Sequence, residues 1–374
     1  MSTRKFPFDF MKKNYLLAKK DNFEGFKSGN WDAFPDAFES LIDREEIWPR
    51  MLRNALSLGF NDNLMGISNK RFSEGNINLW KDMKKGDFPD LLDDTKLPEG
   101  EGEKIKMKMS SLFEAIEISY ILDNFLGKTG APQIININIE HLGKNREFSY
   151  NNHDIDDIYH SWFILNQLRH LESSQPIICE IGAGYGGVAA KIKRNISNSK
   201  VIIFDLPEVN VVQSYYLSQE FKGKKFLGYS DFLEKKTNLL KEDFDFLILP
   251  GWTVNELLGD NSVDAFINIR SMMEMGLETI SFYFENIQRA LKVNGVFACV
   301  NRYIKPVGTK ESWVHNYFKN YPFDKNWSTL YSFPSELQPH IHFLIAKREE
   351  SPPIFPFTEI LKTIRQNPFS PRKK

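Results

Sequence analysis

Residues 179–187 read CEIGAGYGG, a glycine-rich stretch with a glutamate near its start. An apolar run at 177–181 predicts a strand directly before it, and a helical pattern follows at 188–195. Glycines between a strand and a helix let the backbone approach a ligand closely, and the first turn of the helix presents backbone amides to it. We therefore predict a ligand-binding loop at the carboxyl end of a strand.

Two acidic residues accompany this loop. Glu180 precedes the first glycine by two residues, and Asp205 ends the next predicted strand, 23 residues after Gly182. A carboxylate at the end of that second strand can accept hydrogen bonds from both hydroxyls of a ribose. The loop and the two acids together favour an adenosyl cofactor over a purely structural turn.

Strands and helices alternate on either side of the loop, after a predicted helix at 155–171. Further strands are predicted at 201–204, 244–249, 263–269 and 295–300. Such alternation predicts a parallel sheet with helices on both faces, and a ligand at its carboxyl edge. A helix is predicted at 309–320. The last two strands, 327–333 and 342–346, are joined by a short loop and must pair antiparallel.

The chain before this alternation is predicted to be mainly helical. Helical patterns at 37–55 and 109–126 flank a loop at 88–104, and a hairpin is predicted from 134–139 and 145–150. We expect three parts. These are a helical domain (1–145) that caps the acceptor site, a catalytic α/β domain (146–350), and a mobile, proline-rich basic tail (351–374).

Composition limits the class of partner. The 48 Lys and Arg residues nearly balance the 49 Asp and Glu residues, so no overall field favours nucleic acid. Cys179 and Cys299 lie in apolar runs, which suits reduced thiols. No apolar run approaches the ~20 residues of a membrane helix, and the first 20 residues lack a signal-peptide pattern. We expect a cytoplasmic protein without membrane insertion; the oligomeric state stays open.

Three further segments carry a family resemblance: FDLPE at 204–208, NIRSMMEM at 268–275 and NRY at 301–303. The loop and its two acids resemble the first two motifs of class I S-adenosylmethionine-dependent methyltransferases. With the three segments, about 200 residues resemble the sugar O-methyltransferases of bacterial surface-polysaccharide clusters. The resemblance implies a Rossmann-like, mostly parallel sheet with an antiparallel final strand. It also implies S-adenosyl-L-methionine as cofactor and a glycan or small-molecule acceptor.

The resemblance also assigns cofactor-binding residues. The residues that it implies on the cofactor are Glu180, Gly182, Ala183, Gly184, Gly186, Asp205, Leu206 and Asn268. Asp205 would bind the ribose and Leu206 would flank the adenine. The acid that usually binds the adenine amine is not obvious, and Asp231 is a candidate if the strands are shifted. Trp252 is an alternative for the base, although a packing role is the more common one for Trp.

Methyl transfer to a hydroxyl benefits from a positioned base. Glu274 is our first candidate and His153 the second, with His160 and His315 also considered. Glu274 equally fits an acid that satisfies backbone amides, and lone histidines are commonly structural. The residues predicted to bind the acceptor stand at the ends of adjacent strands, namely Arg270, Ser271, Asn301 and Arg302. No spacing of His, Asp and Glu indicates a metal, and His340 and His342 fit a surface position.

Two other classes of protein remain in view. Gly182, Gly184 and Gly187 also satisfy the G-x-G-x-x-G pattern of nicotinamide-dependent sugar-nucleotide oxidoreductases and epimerases. Against that class, Glu180 stands where the dinucleotide fold usually has an apolar residue, and the Tyr-x-x-x-Lys match at 321–325 contains a proline. The second alternative is a noncatalytic binding module with the same fold.

Overall fold

The computed structural model of the chain describes residues 6–21, 42, 43, 45, 48, 101–125, 133–141, 144–150, 152–171, 175–307 and 314–364. Its strands are β1 (Gln133–His141), β2 (Lys144–Tyr150), β3 (Ile177–Ile181), β4 (Lys200–Asp205), β5 (Phe226–Leu227), β6 (Phe246–Pro250), β7 (Val263–Ile269), β8 (Leu291–Arg302), β9 (Ile304–Val307), β10 (Val314–Tyr317), β11 (Trp327–Pro334) and β12 (Ile341–Arg348). Its α-helices are α1 (Phe8–Lys20), α2 (Glu101–Ala115), α3 (Ile118–Asn124), α4 (Asn152–Leu168), α5 (Gly187–Asn195), α6 (Pro207–Glu220), α7 (Tyr229–Lys235), α8 (Val254–Leu257), α9 (Leu277–Ala290) and α10 (Phe357–Thr363).

Eight strands form one central sheet in the order β11-β12-β8-β7-β3-β4-β6-β5. The pairs from β8 through β5 are parallel, and β12 runs antiparallel to both of its neighbours, β8 and β11. This arrangement confirms the predicted α/β fold, a Rossmann-like, mostly parallel sheet with an antiparallel final strand. It brings the carboxyl ends of β3, β4, β6, β7 and β8 to one edge of the sheet.

The central strands are apolar along their length because helices cover both faces of the sheet. All five residues of β6 are buried, as are the first five of β4, and the two faces belong to two separate apolar clusters. Such continuous apolar runs are typical of parallel strands that are buried on both sides. The predicted strands from residue 177 onward and the predicted hairpin, formed by β1 and β2, are all present.

The described N-terminal helices pack against the sheet domain. Helix α1 contacts α6 and α7, with the ring centroids of Phe8 and Tyr215 5.9 Å apart. Asn14 Oδ1 accepts a hydrogen bond of 2.7 Å from the backbone amide of Ser230. Helix α3 contacts α4, where Tyr120 Oη lies 2.7 Å from Ser161 Oγ. The core beneath α1 is therefore continuous with the core of the sheet.

Several N-terminal predictions meet the limits of the described chain. The predicted helix at 37–55 lies outside the described residues apart from four positions. The predicted loop at 88–104 lies outside them up to residue 100, and from Glu101 the chain is helical, so its last part is wrong. The helix predicted at 109–126 is divided between α2 and α3 by an extended residue, Glu117.

The helix predicted at 309–320 is wrong over residues 314–317, and residues 318–320 form a single 3₁₀ turn. Residues 314–317 form β10, which pairs antiparallel with β9. In this strand Val314 and His315 are exposed and Asn316 is buried. Asn316 Nδ2 donates a 2.9 Å hydrogen bond to the carbonyl of Met272, so a tertiary contact holds this strand in place.

The predicted tail is also corrected in its described part. Helix α10 packs on the sheet domain through Phe357, which is fully buried. Its ring centroid lies 5.0 Å from that of Phe323 and 6.5 Å from that of Trp327. Apolar burial therefore fixes this helix, and residues 365–374 lie outside the described chain. Within the described residues, no helix has both the length and the apolar character that crossing a bilayer requires.

Candidate functional site

The loop between β3 and α5 depends on its glycines. Gly182, Gly184 and Gly186 have φ values of +68°, +58° and +97°, in the left-handed region. A Cβ at Gly182 would lie 2.0 Å from Ser271 Oγ, so no larger residue fits there. At Gly184 a Cβ would meet nothing within 4 Å, which shows that the loop faces open space on that side.

Asp205 and this loop face each other through Gln213 on α6. Gln213 Nε2 donates to the carbonyl of Gly184 at 2.9 Å and to Asp205 Oδ2 at 2.7 Å. The other carboxylate oxygen of Asp205 accepts from the amide of Leu206 at 2.8 Å. Burial raises the pKa of Asp205 to about 7, although hydrogen bonds from Leu206 and Gln213 oppose the rise. The structure thus brings the two predicted motifs together beside the open space at Gly184, and we refer to this space as the recess.

Two more carboxylates lie on the other side of the loop. Glu180 is buried, and its Oε2 has no hydrogen-bond partner among the described residues. Burial raises the pKa of Glu180 well above its ordinary value, and the charges of Asp157 and Asp205 add to the rise. Asp157 accepts a hydrogen bond from Tyr185 Oη and lies where a Cβ of Gly187 would be. Burial raises the pKa of Asp157 to about 6.

A network of buried amides joins the ends of β7, β8 and β3. Asn301 Nδ2 donates to Asn268 Oδ1 at 2.9 Å, and Asn268 Nδ2 donates to the carbonyl of Ile181 at 2.9 Å and to Ser271 Oγ at 2.5 Å. Asn301 Oδ1 accepts from the amide of Met273 at 3.0 Å. Asn268, Ser271 and Asn301 were predicted to bind ligands, and in the structure their polar atoms hold the sheet edge together.

Arg270 and Arg302 lie at this same edge. Arg270 has a left-handed φ of +60°, and its amide donates to the carbonyl of Val300 at 2.7 Å. Its Nη1 lies 3.6 Å from Asp156 Oδ2. The Nε atoms of both arginines are buried without a hydrogen-bond partner among the described residues. Burial lowers the pKa of Arg302, and the nearby charge of Arg270 lowers it further.

Glu274 is buried in the short 3₁₀ turn Met272–Glu274, and Lys305 of β9 forms an ion pair with its Oε1. The turn contacts β8, β9 and β10, so Glu274 lies at the carboxyl edge as predicted. An accepted proton would compete with this ion pair.

The structure places the histidine candidates in different surroundings. His153 lies in the first turn of α4, and its side chain is outside the described part. His160 is buried among aromatic rings, and burial lowers its pKa to about 4. His315 is exposed on β10. His340 is exposed, as predicted. Partial burial lowers its pKa, and the charges of Arg302 and Arg270 lower it further. His342 is buried instead, with Nδ1 3.2 Å from Tyr303 Oη.

Asp231, the candidate for the adenine amine, makes a local hydrogen bond in the structure. Asp231 Oδ2 accepts from the amide of Gly228 at 2.9 Å, within the first turn of α7. That turn follows β5, and β6 separates β5 from β4. Asp205 pairs in register with Pro250 at the end of β6, and Trp252 follows two residues later. Trp252 is thus the candidate nearer to Asp205 along the sheet edge, with its ring 6.2 Å from that of Tyr229.

Sequence reasoning missed four side chains of this edge: Asp156, Asp157, Gln213 and Lys305. The first two belong to α4, and both precede Gly182 by more than 20 residues. Lys305 belongs to β9. The acidic run at 154–157 in the first turns of a helix was a usable signal. Gln213 had none, because its role depends on the fold. A search of the described residues found no group of three or more His, Cys, Asp or Glu side chains arranged to hold a metal.

Comparison with known proteins gave matches only among solved structures. No family model matches the chain, and no curated protein matches its sequence. An S-adenosylmethionine-dependent methyltransferase from Clostridium acetobutylicum is 11% identical over 50% of this chain and 90% of its own, with a TM-score of 0.33. The 1,6-didemethyltoxoflavin-N1-methyltransferase of Burkholderia thailandensis, solved with S-adenosylhomocysteine, is 13% identical over 51% of this chain and 77% of its own, with a TM-score of 0.34.

Proposed function

We propose that this chain is an S-adenosyl-L-methionine-dependent O-methyltransferase that methylates a sugar hydroxyl in glycan or polysaccharide biosynthesis. The observation that carries the proposal is the contact of Gln213 with both Gly184 and Asp205. It makes the glycine loop and the ribose-binding acid two walls of one recess. A nucleoside whose ribose lies on Asp205 would extend its other end along the loop.

The residues of this recess fit the cofactor. The open space at Gly184 admits a ligand close to the backbone. Asp157 and Glu180 lie beside the loop, where burial favours their neutral forms; the ammonium of a methionine moiety would favour their charged forms and pair with them. Asp205 accepts ribose hydroxyls, and Trp252 or Leu206 flanks the base. The bound cofactor supplies an electrophilic methyl group on sulfur with a good leaving group, so the protein's part is mainly orientation.

Two features favour methyl transfer over nicotinamide chemistry. The antiparallel β12 between β8 and β11 is the closing arrangement that the methyltransferase resemblance implies. Glu180 has a buried oxygen without a hydrogen-bond partner among the described residues, and a positively charged ligand would compensate its ionised form, whereas a diphosphate would not.

On the acceptor side, we propose that Glu274 receives the hydroxyl proton as the new carbon–oxygen bond forms. Its place beyond β7, next to the arginines, supports this role, and Lys305 holds its carboxylate in position. The N-terminal helices would help to enclose the acceptor.

Calorimetry with S-adenosyl-L-methionine and NAD⁺, followed by transfer of a radiolabelled methyl group to nucleotide sugars and surface glycans, tests this proposal. We expect the sulfonium nucleoside to bind and a sugar to acquire label. Binding of NAD⁺ instead would favour the oxidoreductase. Binding of the nucleoside without transfer to any sugar would leave a noncatalytic module or a different acceptor class.

A further inference from the structure

The charged groups around Arg270 and Arg302 do not balance. Four basic side chains lie there, namely Lys108, Arg270, Arg302 and Lys305, with two carboxylates in contact with them, Asp156 and Glu274. Each carboxylate already pairs with a lysine: Lys108 Nζ lies 2.7 Å from Asp156 Oδ1, and Lys305 pairs with Glu274. This leaves two positive charges, those of the arginines, without a dedicated counter-ion among the described residues.

Neither guanidinium is satisfied by the described protein. Arg270 has only a long contact, 3.6 Å, to Asp156, whose Oδ2 also accepts a 2.7 Å hydrogen bond from Gln338. Arg302 forms no ion pair with a described carboxylate; burial and the charge of Arg270 lower its pKa, and the charge of Glu274 opposes them without reversing the shift. Both Nε atoms are buried without a partner. Unpaired buried donors and like charges side by side are unfavourable unless something compensates them.

The turn at the sheet edge holds both arginines beside the glycine loop. Ile269 pairs with Val300, so the arginines stand one and two residues beyond the last paired position of adjacent parallel strands. The left-handed backbone of Arg270 is unfavourable for a side-chain-bearing residue. The next residue, Ser271, packs against Gly182. Arg270 is therefore one residue away from a contact with the glycine loop, and Arg302 stands at the end of the adjacent strand.

We propose that Arg270 and Arg302 form a subsite for an anionic oxygen group of the acceptor, a phosphate or a carboxylate. The substrate class is then a charged sugar, either a sugar phosphate or nucleotide sugar, or a uronic acid. A guanidinium binds both groups through two parallel hydrogen bonds, and an anion here would satisfy the buried Nε donors. This inference rests on the proposed function for the identity of the acceptor, and the presence of the anion subsite is tested separately from it.

The test measures anion binding to the full chain by calorimetry, with and without saturating S-adenosylhomocysteine. The probes are inorganic pyrophosphate, D-glucuronate and the neutral D-glucose. We expect one of the anions to bind more tightly than glucose, and that preference identifies the phosphate or the carboxylate as the group recognised. R302Q and R270Q should each weaken this binding by about tenfold or more, because a hydrogen-bonded charge pair is lost.

Two further variants control for charge and folding. R302K keeps the charge but loses the planar fork, so we expect an intermediate affinity. R169Q removes an exposed arginine beyond the far end of α4, about 20 Å from Asp156 by helix rise, and should leave anion binding unchanged. Wild-type affinity in both R270Q and R302Q, or no anion preferred over glucose, would overturn the subsite. If the anion bound in an arginine-dependent way but S-adenosylhomocysteine did not bind, the proposed cofactor would be overturned and the subsite would stand.

Discussion

Ser271 Oγ lies only 2.0 Å from the position that a Cβ of Gly182 would take. The same hydroxyl donates to the carbonyl of Ile181 at 3.1 Å and accepts from Asn268 at 2.5 Å. The turn after β7 therefore presses directly on the turn after β3, which lies 89 residues earlier in the chain. Each turn limits the shape of the other, so the glycine loop is fixed by its neighbour strand as well as by its own sequence.

Replacing Gly182 by alanine should destabilise the protein. The substitution adds a clash with Ser271 to the strain of a left-handed φ, which costs roughly 1–2 kcal/mol by itself. We expect G182A to lower the free energy of unfolding in urea by about 3 kcal/mol or more. An unfolding midpoint like that of the wild type would show that the two turns do not press on each other.

Alanine substitutions at Gly184 and Gly223 distinguish the effect of backbone strain from the effect of ligand contact. Both have a left-handed φ, +58° and +82°, and a Cβ at either position meets nothing within 4 Å. G184A and G223A should therefore lose a similar, smaller amount of stability. Only G184A should also weaken binding of S-adenosyl-L-methionine, because its methyl group enters the recess. Equal cofactor affinities in the two variants would argue against the loop as a cofactor site.

Cofactor affinity should depend on pH through Asp205. Its raised pKa of about 7 means that the carboxyl is increasingly protonated below that pH, and a protonated carboxyl accepts ribose hydroxyls poorly. We expect the affinity to fall by up to about tenfold per pH unit below pH 7 and to level off above pH 8. Calorimetry from pH 5.5 to 8.5 measures this fall. In D205A the affinity should be low throughout and the dependence near pH 7 should disappear.

In the unliganded protein, the raised pKa of Asp205 makes the stability fall as the pH rises, whereas the cofactor affinity rises with pH. The folded pKa of Asp205 lies above its unfolded value of about 3.9, so its stabilising contribution is complete below that value. The contribution is lost as the pH rises through 7. The unliganded protein should therefore unfold at lower urea concentration at pH 8 than at pH 5.5, to the extent that Asp205 contributes.

The sheet could be predicted from sequence because each of its central strands is an apolar run between loops and helices. The helix at 309–320 could not, because β10 is held by β9 and by the contact of Asn316 with the Met272 carbonyl, both of which are tertiary. Helix α10 was missed for a similar reason. The prolines on either side of it indicated a mobile tail, whereas the aromatic cluster around Phe357 forms only after folding.

The site was predictable where residue type and strand order decide it. Gly182, Gly184 and Asp205 come together because consecutive parallel strands end at one edge. The roles of Asn268 and Asn301 were not predictable, since an amide at a strand end suits a ligand and a neighbouring amide equally well. Their mutual hydrogen bond decides the matter only in the folded chain. Gln213 escaped notice because it faces Asp205 from one turn or more into a helix.

Glu274 should be needed for turnover and dispensable for cofactor binding. E274Q keeps the size of the side chain but cannot accept the hydroxyl proton, so kcat should fall by about 10²–10⁴-fold. Its affinity for S-adenosyl-L-methionine should stay within threefold of the wild type, because the recess at Asp205 is unchanged. Single-turnover methyl transfer measures the first effect and calorimetry the second. Unchanged turnover would remove Glu274 as the base and move attention to His153.

Helix α10 should contribute to stability through its buried apolar side chains, of which Phe357 is the largest. Phe357 is fully buried, and replacing a buried Phe by Ala typically lowers the free energy of unfolding by about 3–5 kcal/mol. Phe355, two residues earlier, is 63% exposed and provides a matched control of the same residue type in the same segment. We expect F357A to unfold at clearly lower urea concentration than the wild type. F355A should change the free energy of unfolding by no more than about 0.5 kcal/mol. If the two variants unfolded alike, α10 would not be docked in solution, and the original expectation of a mobile tail would apply to it after all.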